Sequence, residues 1–189
     1  MLTDIQKKKI TEFAEKSVAE NDQFHQMQHI RNVAEDALML AKLEKGDPEV
    51  CWTAAMLHDI VKSKPGDHGT EGSKIAEKFL LELGLNKEFV EKVKDAIYWH
   101  NKEFKDGPIE RKIMWDADKY RNINLQGFRT RIIPFFMQND DHKTALEKAS
   151  EDYHLFVTRF RTETGRKEAK KHAAEIEQYI AKCKAENSF

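Results

Sequence analysis

Four prolines, eight glycines and two cysteines are few for 189 residues, and each scarcity closes an option. Cys51 and Cys183 stand far apart in no C-x-x-C spacing, so neither a disulfide framework nor a cysteine zinc site is expected, and the thiols should be reduced. The longest apolar run, Ile132 to Met137, is far too short to cross a bilayer. The Lys-rich start, Met1 to Ile10, lacks the apolar centre of a signal peptide, so a soluble cytoplasmic protein is expected. Charge of one sign is missing too: 32 Lys and Arg against 33 Asp and Glu leave a net −1, with no basic stripe. That balance argues against a strong electrostatic grip on nucleic acid or anionic lipid.

Period-2 strand patterns and internal repeats are also absent, and what remains is helical. Thr3-Asp4-Ile5-Gln6 reads as a capping box opening a helix over about 3–19. From His29, Ile30, Val33, Ala34, Ala37, Leu38 and Ala41 recur at three- and four-residue steps until Lys45-Gly46 stops them. Asp47-Pro48 supplies an N-cap and first-turn proline for a third helix burying Val50, Ala54, Ala55 and Leu57, which breaks up in Lys62 to Asp67. Ile75 to Leu83, ended by Gly84, and Phe89 to Ile97, capped by Asn86, form the next two helices. Gly107-Pro108 opens the helix bearing Asp118.

Phe128, Ile132 and Phe136 continue the pattern, with Pro134 bending or ending that segment. Leu146, Ala149, Tyr153, Phe156 and Phe160 follow, and a last helix from about Gly165 to Glu186 has a narrow apolar face. The fold class is all-α.

Histidine and aspartate carry the chemistry. His58-Asp59 closes the apolar run Ala54-Ala55-Met56-Leu57; His29 precedes it, and His68-Gly69, His100 and Asp118 follow. A histidine at a helix end ordinarily faces solvent or offsets the macrodipole, but an acid there is unfavourable, so Asp59 asks for a compensating cation. The order His29, His58-Asp59, His68, His100, Ala117-Asp118-Lys119-Tyr120 with Asn122 resembles the HD-domain metal-dependent phosphohydrolases. Thr162-Glu163-Thr164-Gly165-Arg166 is similar to a C-terminal stretch of the small hydrolases among them. The resemblance covers about 25–170 and departs at Asn32, where the family often has Arg; here Arg31 is displaced by one.

The resemblance implies a single HD-type helical domain over 1–189, with a metal-site core at about 25–125 and C-terminal helices over about 126–187. It implies that His29, His58, Asp59 and Asp118 hold a divalent ion (Mn, Fe, Co, Ni, Zn or Mg), Asp118 being preferred to Asp116, which falls to a supporting place or to solvent. Asp59 would orient or deprotonate water, and Lys62 would meet a substrate phosphate or remain a solvated loop lysine. His68 and His100 are left between a second ion and the substrate phosphate. His25, His142, His154 and His172 read as surface residues. The implied substrate is a nucleotide or other small phosphoester. Two alternatives stay open: an HD-type di-iron oxygenase, which needs both His68 and His100, and a nucleotide-binding regulator without turnover.

Overall fold

The computed structural model of the chain describes residues 1–185, without the side chain of Phe156. The expected core position Phe156 and the helix end near Glu186 therefore lie outside the described residues. Among the described residues the chain is helical with no strand, and no helix is long and apolar enough to cross a membrane. It divides into two compact units, Met1–Asp118 and Lys119–Phe189.

In the first unit, α1 (Asp4–Val18) opens on the expected capping box: Gln6 N donates to Thr3 Oγ1 at 3.2 Å and Thr3 N to Gln6 Oε1 at 3.0 Å. Its buried face holds Ile10, Ala14 and Val18, and Phe13 stacks on Phe79 with centroids 4.1 Å apart. Helix α2 (Met27–Glu44) starts two residues before His29 and buries Ile30, Val33, Ala34, Ala37, Leu40 and Ala41. It stops at Lys45-Gly46, as expected. Lys45, not Gly46, takes the left-handed conformation, φ 60°, which costs a non-glycine residue about 1–2 kcal/mol. Gly46 serves close approach instead, since a Cβ there would collide with the Ile113 side chain.

Helix α3 (Pro48–Leu57) is capped by Asp47, whose carboxylate accepts from Glu49 N and Val50 N at 2.9 and 3.2 Å. Val50, Cys51 and every residue from Thr53 to Leu57 are buried, so α3 lacks an amphipathic pattern; it is packed by α1, α2 and α5. Fully burying a side chain such as Leu57 stabilises by about 1.5–3 kcal/mol. Helices α4 (His68–Glu82) and α5 (Lys87–Trp99) pack on each other, capped by Asp67 and Asn86, and Gly84 (φ 80°) ends the former as expected. Helix α6 (Ile109–Tyr120) carries Asp118, and Arg111 on it grips both oxygens of Asp95 on α5 at 2.6 and 2.9 Å.

The second unit contains α7 (Leu125–Gly127), a π-helical turn (Phe128–Ile132), α8 (Ile133–Phe136), α9 (His142–Val157) and α10 (Glu163–Ala185). Pro134 sits in the first turn of α8, directly after the π turn, which is where the sequence expects a bend or an end. Phe128, Ile132, Leu146, Ala149, Tyr153, Phe160, Ile176 and Ile180 form this unit's core. The Thr162 to Arg166 stretch starts α10: Thr162 Oγ1 accepts from Gly165 N at 2.9 Å, and Arg166 donates to the Arg161 carbonyl at 2.8 Å.

Candidate metal centre

Four helix ends or near-ends of the first unit bring their polar side chains together. His29 lies in the first turn of α2, His58 and Asp59 follow the last turn of α3, His68 is the first residue of α4, and His100 follows α5. Asp118, late on α6, completes the set. His58 Nε2 is 3.3 Å from Asp59 Oδ2 and 3.6 Å from Asp118 Oδ1. His29 Nε2 is 3.3 Å from the same Asp118 oxygen and 3.8 Å from Asp59 Oδ2. On the other side of the Asp59 carboxylate, Oδ1 lies 3.6 Å from His68 Nε2 and 3.6 Å from His100 Nε2. Asp59 thus offers one oxygen to each of two imidazole pairs, and both sets fit a metal ion in donor type and spacing.

Local hydrogen bonds explain the ring orientations. His58 Nδ1 lies 2.8 Å from the Ala55 carbonyl and His100 Nδ1 2.6 Å from the Ile97 carbonyl. A carbonyl only accepts, so each Nδ1 carries a proton and each Nε2 is turned into the centre, free to offer a lone pair once it is unprotonated. Among the described residues, no well-aligned hydrogen bond reaches His58 Nε2 or Asp59 Oδ1, although both residues are almost wholly enclosed. Enclosed polar atoms left in that condition are costly, and a cation satisfies lone pair and carboxylate together.

The charges agree with this. Burial would lower the pKa of His58, but the Asp59 and Asp118 carboxylates outweigh it and push it up to about 10. Burial works to raise the Asp59 pKa, yet the imidazoles, His58 foremost, and the Lys62 ammonium hold it well below the usual carboxylate range. The field that makes His58 hold a proton is one that attracts any cation, and a metal ion takes the proton's place. Burial depresses His29 and His100, and burial with the Lys62 ammonium takes His68 down to about 4.

Lys62 reaches inward, its Nζ 3.2 Å from His68 Nε2. Asp116 is fully buried, which removes the solvent alternative for it. Arg31 turns away into an exposed pair with Glu15 at 2.6 Å, so it does not stand in for the arginine lacking at Asn32. His25 is half-buried rather than on the surface, paired with Asp22 at 2.7 Å and edge-on to His29. His142 and His172 are likewise partly buried, while His154 is exposed.

Sequence reasoning missed the groups that seat His68. Asp67 caps α4 and also accepts from Lys102 Nζ at 2.8 Å and Asn101 Nδ2 at 3.2 Å, while Gly69 packs so closely that a Cβ would strike Asn101. Asp67 before a helical run was readable as a cap; its long-range partners carry no sequence signal.

This geometry defines a class of all-α proteins that converge imidazole and carboxylate groups from separate helices on one buried centre. The HD domain matches residues 27–123, just over half of the chain, and the chain belongs to that family. Among curated proteins, the bifunctional uridylyltransferase/uridylyl-removing enzyme of Azospirillum brasilense is 43% identical over 49 residues, 26% of this chain and 5% of that protein. Its counterpart from Ruegeria pomeroyi is 36% identical over 86 residues, 40% of this chain and 10% of the relative. The matched stretch is thus a tenth or less of these relatives' length. Among solved structures, an HD-superfamily hydrolase from Bacillus thuringiensis superposes with a TM-score of 0.77 at 22% identity, covering 98% of this chain and 99% of the other. Bacillus subtilis YpgQ in complex with ADP gives 0.75 at 24% identity, covering 96% and 97%. At such identities the likeness is one of fold.

Proposed function

We propose that the chain is a metal-dependent phosphohydrolase acting on a nucleotide or another small phosphoester, with His29, His58, Asp59 and Asp118 holding a divalent ion. The observation that carries this reading is His58 Nε2, which is enclosed and without a well-aligned hydrogen bond among the described residues yet lies 3.3 Å from Asp59 Oδ2 and 3.6 Å from Asp118 Oδ1. A divalent ion bound there supplies a lowered pKa for water and counter-charge for phosphoryl oxygens. Asp59 has two tasks because its oxygens face different ways: Oδ2 is shared with His29 and His58, leaving Oδ1 to receive the proton of the attacking water. Lys62 Nζ, beside His68, presents a point charge to the phosphate. His68 and His100 face the same oxygen, Asp59 Oδ1, and take either a second ion or a phosphate oxygen.

Further support comes from the ADP complex of YpgQ and from the relatives named for uridylyl removal. A cytoplasmic location belongs to this reading, because Cys51 and Cys183 are free thiols and suit a reducing compartment. The second ligand group, Asp59 with His68 and His100, favours keeping one rival, a di-iron oxygenase. Metal analysis of freshly purified protein with a phosphate-release screen over nucleotides tests the proposal. Phosphate release that needs the divalent ion is expected; iron content with oxygen consumption and no phosphate release would favour the rival. Tight nucleotide binding without either reaction would favour a regulator.

A further inference from the structure

Asn21 lies in the connection between α1 and α2, ahead of the residues that the HD domain matches, and it is 5% exposed. An amide side chain is expensive to enclose unless its donors and acceptor are used. Here both donors are used: Nδ2 gives one hydrogen bond to the His25 carbonyl at 2.9 Å and one to the Asp59 carbonyl at 3.1 Å. Oδ1 accepts from Ser63 N at 3.1 Å. The backbone extends the network, since the Asn21 carbonyl accepts from Gln26 Nε2 at 3.3 Å and the Gln26 carbonyl accepts from His29 N at 2.9 Å.

These bonds join the two sides of the centre. One side is the approach to α2, which sets where His29 enters its helix; the other is the turn from His58 to Ser63, which carries Asp59 and Lys62. The turn is short and held internally by Lys62 N to Asp59 O at 3.1 Å and Lys64 N to Val61 O at 3.0 Å. Nothing in those two bonds fixes its position relative to α2, whereas Asn21 touches it at both ends. We propose that Asn21 is a positioning residue of the centre, clamping the His58–Ser63 turn to the start of α2 so that Asp59 and His29 share one ion. Its side chain bonds backbone atoms only, so it acts through the chain that carries the ligands. The inference rests on the metal-centre reading above.

Asn21→Asp keeps the size and the acceptor for Ser63 N but replaces both donors by a carboxylate facing two carbonyls. Asn21→Ala removes all three bonds. Val18→Ala, at the end of α1, is the matched control, because it loosens the same corner by loss of packing alone. Equilibrium dialysis of the full chain against Mn²⁺ should show affinity lower by about tenfold to a hundredfold in both Asn21 variants, with kcat reduced and the Val18→Ala affinity close to the parent's. Asn21 variants binding Mn²⁺ as the parent does, or Val18→Ala losing as much affinity as Asn21→Asp, would overturn the proposal. A parent protein that binds no Mn²⁺ would instead overturn the metal-centre reading and the inference with it. Should the Asn21 variants not fold, hydrogen exchange of the unsubstituted protein decides: Mn²⁺ should slow exchange at the Ser63 amide, and an unchanged rate there refutes the clamp.

Discussion

The two units bury different things. Among the described residues, the first encloses Asn21, His29, Asp36, Thr53, His58, Asp59, Ser73, His100 and Asp116, whereas the second encloses only Ser150 and Thr162 beside an aromatic and aliphatic core. Enclosed polar groups give little net stability and demand specific partners, while apolar burial stabilises without regard to direction. The first unit therefore spends part of its interior on a geometry, and the second spends its interior on cohesion. Substitutions in the two should fail in different ways.

The largest expected effect is on chemistry. Asp59→Ala should leave the helical circular dichroism intact and reduce phosphate release by about 10²- to 10⁴-fold. Activity within about tenfold of the parent, with metal present, would refute its role. In the second unit, Phe128→Ala should cost about 3–5 kcal/mol of stability in denaturant titration while Mn²⁺ affinity stays at the parent value. A large loss of affinity would erase the division of labour between the units.

Adding Mn²⁺ at about one hundred times its Kd should raise the unfolding free energy by about 2.7 kcal/mol, an effect that Asp59→Ala abolishes and Phe128→Ala retains.

The same contrast is sharpened by alkali. Burial, with Glu177 adding to it, pushes the Tyr153 phenol up to about 12, and its hydroxyl donates to the Ile123 carbonyl at 3.3 Å. The unfolded phenol ionises near pH ~10, so its contribution is full below that pH and is lost as pH rises toward the folded value. Ultraviolet titration should show the Tyr153 phenol ionising late, a component that Tyr153→Phe removes; a late component unchanged by that substitution would contradict the enclosed phenol. The smallest effect is local: Thr3→Ala removes the cap of α1 and should cost about 1 kcal/mol in thermal unfolding with no change in metal affinity.

Much of the fold was legible because caps and apolar spacing are local. Thr3, Asp47 and Asn86 each announce a helix, and each caps one. The convergence of His29, His58, Asp59, His68, His100 and Asp118 was legible only through their order, because helix-end histidines look alike one at a time. Lys45-Gly46 was legible as the stop of α2, but that Lys45 takes the left-handed turn while Gly46 gives room to Ile113, far away in the chain, was not. The burial of Asp116 and the reach of Asn21 to Asp59 were likewise invisible, since neither leaves a periodic trace. The π turn before Pro134 was read only as a bend or an end of the segment, as ring widening has no distinct composition.

Helix α3 has ten residues and is enclosed by its neighbours. A helix that short is marginal by itself in water, so α3 and the His58-Asp59 turn after it should form only as α1, α2 and α5 close around them. The centre is then a late product of folding, absent from the chain that a metal ion first meets. Mn²⁺ should consequently slow unfolding while leaving the refolding rate almost unchanged, the signature of interactions missing from the transition state. Stopped-flow measurement of both rates across Mn²⁺ concentration reads this directly, and refolding that accelerates with Mn²⁺ would place the centre early instead.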